Sequence, residues 1–151
     1  MLRTLIADAL KKSMIAKNTK STATLRLILA ALKDRDIAAR SKEKKETISD
    51  DEILGLLQSM IKQRRESILL YEQGGRMELA QQEAEEISVI EEFLPIQMGD
   101  EEMTTIIDTI LTETDATNLK DMGRVMSTLK KNYTGKMDFS KASALVKKRL
   151  A

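Results

Sequence analysis

Nine lysines and arginines lie between Lys120 and the C-terminus, against only two carboxylates, Asp121 and Asp138. Lysine ammonium and arginine guanidinium groups meet phosphate directly, and glycine lets a backbone amide come close to one. The stretch KKNYTGKMD, Lys130–Asp138, combines all of these in a short turn. The candidate phosphate-binding residues are Lys120, Gly123, Arg124, Lys130, Lys131, Gly135, Lys136, Lys141 and Lys148, set among apolar residues that keep to their own helical stripes. A run of charge is often only a solvated face; charge of one sign, nearly unopposed, also attracts polyanions. Asp138 is expected to cap the last helix and would repel an anion there, so any phosphate belongs on Lys136 and neighbouring lysines.

Other chemistry is scarce. The chain has no Cys and no His, which excludes thiol nucleophiles, imidazole bases, disulfides and the usual zinc and iron–sulfur sites. No phosphate-cradling GxxxxGK[ST] or GxGxxG loop occurs. Asp100, Glu101 and Glu102 fall in the first turn of a predicted helix, where the dipole favours carboxylates without any catalytic purpose. Asp34 and Asp36 are two apart on a helix and point to different faces. The expectation is no catalytic residue, no metal and no cofactor. Only four aromatic residues occur, Tyr71, Phe93, Tyr133 and Phe139, too few to stack successive unpaired bases. A structured RNA, met through its backbone and 2′-hydroxyls, fits better than a single strand.

A second charged constellation is Lys62, Gln63, Arg64 and Arg65, in KQRRES, where Arg64 interrupts the apolar line of Leu57, Met60, Ile61 and Ile68. The following helix offers Glu83, Glu85, Glu86, Glu91 and Glu92. One contact explains both compositions: inter-helix ion pairs that fix how a hairpin packs, rather than an anion site.

The elements that would position these residues are all helical, since no period-two apolar alternation is sustained. The spacing predicts helices over about 2–17, 21–40, 50–73 and 77–94. Ser49 with Glu52 three residues on is a capping-box signature, and Gly74–Gly75 marks a hairpin corner. The segment ARSKEKKETIS, from Ala39, shows no apolar face and reads as fraying helix or loop. The lone proline, Pro95, and the following residues to Gly99 mark a boundary. Two domains are therefore expected: 1–94, helical with a long hairpin, and 95–151, a small three-helix unit with stripes at Met103–Leu111, Leu119–Leu129 and Phe139–Leu150.

Net charge is +1, but unevenly spread: residues 77–119 hold twelve acids and no base. The longest uncharged apolar run in the first half, Leu27–Leu32, is far short of the ~20 residues of a spanning helix. The N-terminus reads as a core-facing helix rather than a signal peptide. A cytoplasmic chain without a membrane partner, monomeric by default, is expected.

KQRRES, then EEFLP (Glu91–Pro95), DMGRVM (Asp121–Met126) and GKMD (Gly135–Asp138) in this order resemble the YqeY family of the GatB/YqeY group, over essentially the whole chain. Residues 95–151 are similar to the tail domain of the B subunit of glutamine-dependent aspartyl/glutamyl-tRNA amidotransferase. The resemblance implies a helical domain joined to a small helical tail that contacts tRNA, with Gly123, Arg124, Gly135 and Lys136 at the matching positions. It also implies, as partners, an amidotransferase or an aminoacyl-tRNA synthetase. Gly99 stands where the family often has Ser as a helix cap, and Met137 where a small residue is common. The family label, a carbon–nitrogen ligase with glutamine as nitrogen donor, describes a complex whose amidase and ATP-using domains are elsewhere. A non-catalytic tRNA-binding accessory protein is the leading expectation. The alternative is a helical protein-interaction adaptor that uses the acidic fourth helix or Met122, Met126 and Met137.

Overall fold

The computed structural model describes every residue, Met1–Ala151. It contains seven α-helices, one 3₁₀ turn and no β-strand, so the chain is all-α. It divides into two units, Met1–Leu94 and Pro95–Ala151.

The first unit comprises α1 (Leu2–Ile15), α2 (Thr19–Lys42), α3 (Asp50–Gln73) and α4 (Met77–Glu91). α3 and α4 form the long hairpin, and α2 packs against α1, α3 and α4. Ile6, Leu25, Ile28, Leu32, Ile53, Leu57, Ile61 and Ile90 supply the core. The start of α3 follows from its sequence: Ser49 Oγ accepts from the Glu52 amide at 3.2 Å, and the Glu52 carboxylate accepts from the Ser49 amide at 3.4 Å. Both otherwise orphaned donors are satisfied. α3 ends at Gln73, and Gly75, at φ +72°, turns the chain toward α4.

Four helix limits differ from the periodicity, among them the start of α2, at Thr19 rather than about 21. α1 stops at Ile15, two residues early, because Lys17 takes a left-handed φ of 57° and Asn18 already caps α2 through the Ser21 amide. α2 runs to Lys42 rather than Arg40. α4 ends at Glu91, and Phe93 and Leu94 close a turn before Pro95.

The charged segment after α2 is more ordered in purpose than its composition suggests. Ile48 is buried, and its amide donates to Asp36 Oδ1 at 2.9 Å. Asp36 is itself buried and takes both prongs of Arg3, at 2.7 and 2.5 Å, while the same guanidinium donates to the Ile48 carbonyl at 3.1 Å. One carboxylate thus joins α1, α2 and the approach to α3. The Arg3 hydrogen bonds hold the Asp36 carboxyl below the ordinary aspartate range, and Asp36 in turn raises Arg3. Farther along, Lys45 contacts Glu43 and Glu52, each at 2.7 Å, and those hydrogen bonds push its ammonium up to about 12.

The second unit comprises α5 (Asp100–Glu113), the 3₁₀ turn Leu119–Asp121, α6 (Met122–Tyr133) and α7 (Phe139–Leu150). Met103, Ile107, Ile110, Val125, Leu129, Met137, Ala142, Val146 and Leu150 make its core. Gly99 occupies the cap of α5 without a side-chain hydrogen bond, and Asp100, Glu101 and Glu102 fill the first turn. Asn118 and Asp121 form a reciprocal capping pair ahead of α6.

Candidate nucleic-acid interface

α6 turns Met122, Val125, Met126, Leu129 and Tyr133 inward, which leaves Arg124 and Lys131 on the outer side. They are seven residues apart, so they lie nearly in line and about 10 Å apart along the axis. α7 repeats the arrangement: Phe139, Ala142, Val146 and Leu150 face the core, and Lys141 and Lys148, again seven apart, face out. All nine cations of the segment are exposed.

Three are engaged by carboxylates. Arg124 contacts Asp121 at 3.1 Å, Lys141 contacts Asp100 at 3.8 Å and Arg149 contacts Asp108 at 2.8 Å. All three pairs are largely exposed and hold little energy against a competing anion. Lys120, Lys130, Lys131, Lys136, Lys147 and Lys148 form no ion pair. The unit as a whole is not strongly basic. Residues 95–151 carry nine bases and eight acids, and most of the acids belong to α5 or its flank. Any attraction for a polyanion is therefore a property of the α6–α7 side and is felt within a screening length of about 8 Å.

The turn between α6 and α7 departs from the expected picture at its glycine. Gly135 is buried, with φ +79°. Its carbonyl accepts from Gln97 Nε2 at 2.5 Å, and the next carbonyl, that of Lys136, accepts from the Met98 amide at 2.8 Å. The residues after Pro95 strap this turn, so Gly135 reverses the chain and offers no surface for close approach of a ligand. Gly123 differs: it is exposed on the first turn of α6, and a Cβ there would meet nothing within 4 Å. Met137 is wholly buried, and Met122 and Met126 pack against the same core, which removes the methionines as an exposed contact surface. Its size explains Met137: a long unbranched side chain fills the space beneath the turn.

Asp138 caps α7 through the Ser140 and Lys141 amides, at 2.9 and 3.3 Å, which leaves that helix end unsuited to an anion. Tyr133 and Phe139 are half-buried against the core and make no stacking platform.

The KQRRES residues lie in the α3–α4 hairpin. Arg64, 13% exposed, reaches Glu86 at 2.9 Å and Glu83 at 4.0 Å and donates to the Met60 carbonyl at 3.2 Å. Burial, then the like charge of Glu86, pushes the Glu83 carboxyl up despite Arg64. Arg65 meets Glu91 at 3.5 Å on the surface, and Lys62 and Gln63 are exposed on the same helix. No group of three or more Cys, His, Asp or Glu is arranged to hold a metal. No helix is long and apolar enough to cross a membrane.

The class defined by this architecture is an all-α protein of two helical units, the second carrying nine exposed cations from Lys120 onward. A family model for Yqey-like proteins matches residues 3–150, and the chain belongs to that family. Curated relatives carry the name altered inheritance of mitochondria protein 41, mitochondrial. The one from Clavispora lusitaniae is 33% identical over 110 residues, 71% of this chain and 61% of the relative. That from Eremothecium gossypii is 32% identical over 112 residues, 72% and 58% respectively. That from Kluyveromyces lactis is 30% identical over 107 residues, 69% and 55%. The match thus spans little more than half the length of these relatives.

Proposed function

We propose that this chain is a non-catalytic accessory protein whose C-terminal unit, residues 95–151, binds the backbone of a structured RNA, with tRNA the class implied by its resemblance to an amidotransferase tail domain. The observation that carries the reading is the exposed α6–α7 face, where six lysines lack an intramolecular counter-charge. Lys120, Arg124, Lys130, Lys131, Lys136, Lys141 and Lys148 meet phosphate. Gly123 leaves the start of α6 open to a backbone, while Gly135 serves the turn. Binding is modest, because the acids of the same unit nearly balance its bases. An amidotransferase or an aminoacyl-tRNA synthetase is the protein partner this role implies. The cytoplasmic setting expected from the sequence suits the reading, and so does a mitochondrial matrix, since both hold tRNA.

The test is fluorescence anisotropy of end-labelled total tRNA with the purified chain and with the combined variant Arg124→Ala, Lys130→Ala, Lys131→Ala, Lys136→Ala. The expected result is binding that the combined variant loses while its circular dichroism is unchanged. Equal binding by both proteins, or none by either, sinks the reading. Glutamine-dependent ammonia release by the purified chain would overturn its non-catalytic part.

A further inference from the structure

α2 carries apolar residues on two faces. Leu25, Ile28, Leu32 and Ala39 enter the core of the first unit. Ala23, Leu27, Ala30, Asp34 and Ile37 lie on another side, exposed, with Leu27 at 48% and Ile37 at 51%. Their spacing alternates four and three residues, the period of a coiled-coil seam, over about 21 Å of helix. The two alanines leave room for a second helix to come close. Leu27 and Ile37 supply the knobs, and Asp34 is a polar position of the kind that fixes register.

The edges of the seam differ. Arg26 and Lys33 each immediately precede a seam position, Arg40 follows at the same seven-residue spacing beyond Ile37, and the three line one edge, all exposed. Arg26 and Lys33 form no ion pair, while Arg40 is engaged by Glu46 at 3.6 Å. The other edge holds Thr24 and Ala31, which are turned toward the core, and beside Ala23 it opens into a groove shared with α4 and lined by Lys20, Thr24, Gln81 and Glu85. Lys20 is already paired with Glu85 at 3.0 Å. The edge with unsatisfied charge is the cationic one.

We propose that this face of α2 docks an amphipathic helix of a partner protein, its apolar stripe on Ala23, Leu27, Ala30 and Ile37 and its acidic edge on Arg26 and Lys33. Two heptads of contact give a reversible complex, in which the charged edge selects the partner. This site lies in the first unit and uses none of the cations of the tail.

A fluorescein-labelled synthetic helix of roughly three heptads, with Leu at both seam positions and Glu at both edges, serves as the probe, beside the same peptide with Lys at both edges. Neither peptide pairs with itself at neutral pH, because its edges repel. The full chain should bind the Glu-edged peptide about tenfold more tightly than the Lys-edged one, a difference that added salt reduces. Leu27→Asp with Ile37→Asp should abolish binding, and Arg26→Glu with Lys33→Glu should invert the preference. These positions are exposed, and circular dichroism confirms that the variants fold. Equal binding of the two peptides, or a preference that the charge swap leaves in place, overturns the proposal. So does concentration-dependent self-association that Leu27→Asp with Ile37→Asp removes while neither peptide binds, since a second copy would then be the occupant.

Discussion

Replacing Asp36 by alanine removes the acceptor for two Arg3 hydrogen bonds and for the Ile48 amide at once. The Ile48 amide is left buried without a partner, and Arg3, with its side chain 31% exposed, recovers only part of its hydration. An unsatisfied buried donor costs about 1–2 kcal/mol, and a partly buried cation stripped of its carboxylate about as much again. The sum is about 3 kcal/mol, which for a unit of this size lowers Tm by more than about 10 °C. Asp36→Asn keeps an acceptor for Ile48 but loses the ion pair, so it should cost roughly half as much. The folded pKa of Asp36 lies below its unfolded value, so its contribution is complete above about pH 4 and fades as pH falls through the folded pKa. The gap between wild type and Asp36→Asn should therefore narrow from pH 5 toward about pH 2. Urea unfolding followed by circular dichroism gives the energies, and hydrogen exchange resolved by peptide assigns the loss to residues of the first unit. A cost under about 1 kcal/mol for Asp36→Ala, or a gap that does not change with acid, would refute the clamp.

Two further substitutions probe the α3–α4 hairpin and the α6–α7 turn. Arg64→Ala leaves Glu83 and Glu86 facing each other without their cation, so it should destabilise the hairpin by about 2 kcal/mol at pH 8. Burial and the charge of Glu86 hold the Glu83 carboxyl above its unfolded pKa, and without Arg64 nothing opposes them, so stability is lost as pH rises through that range and the deficit should be smaller at pH 5 in parallel urea titrations. Gly135→Ala forces a side chain into a left-handed, buried position and should cost the second unit about 1–2 kcal/mol, seen as faster amide exchange in α6 and α7.

What could be read from the sequence was local. Ser49 and Glu52 announce the start of α3 because a capping box needs only four residues, and the paired glycines announce the corner because only they turn so freely. The stripes of α5, α6 and α7 were legible for the same reason. The Asp36 clamp was not, since its partners lie 33 and 12 residues away and Ile48 stands alone in a charged run. The second face of α2 was hidden by the first: with apolar residues on two sides, the core stripe accounts for the helix, and only the exposure of Leu27 and Ile37 separates them. At the candidate interface the cations were legible as exposed charge. The burial of Gly135 was not, because it depends on Gln97 and Met98 arriving from nearly 40 residues earlier.

The salt dependence of tRNA binding tests the phosphate-binding face most directly. With about four phosphates neutralised, log K should fall against log salt with a slope of about −3 to −4, which is roughly a hundredfold loss between 50 and 200 mM. The Arg124, Lys130, Lys131 and Lys136 alanine combination removes four of the seven cations assigned to phosphate and should make that slope clearly shallower along with weakening the affinity. A wild-type slope near zero, or a steep slope retained by the combined variant, would contradict the assignment of α6, α7 and the turn between them as the RNA-binding face.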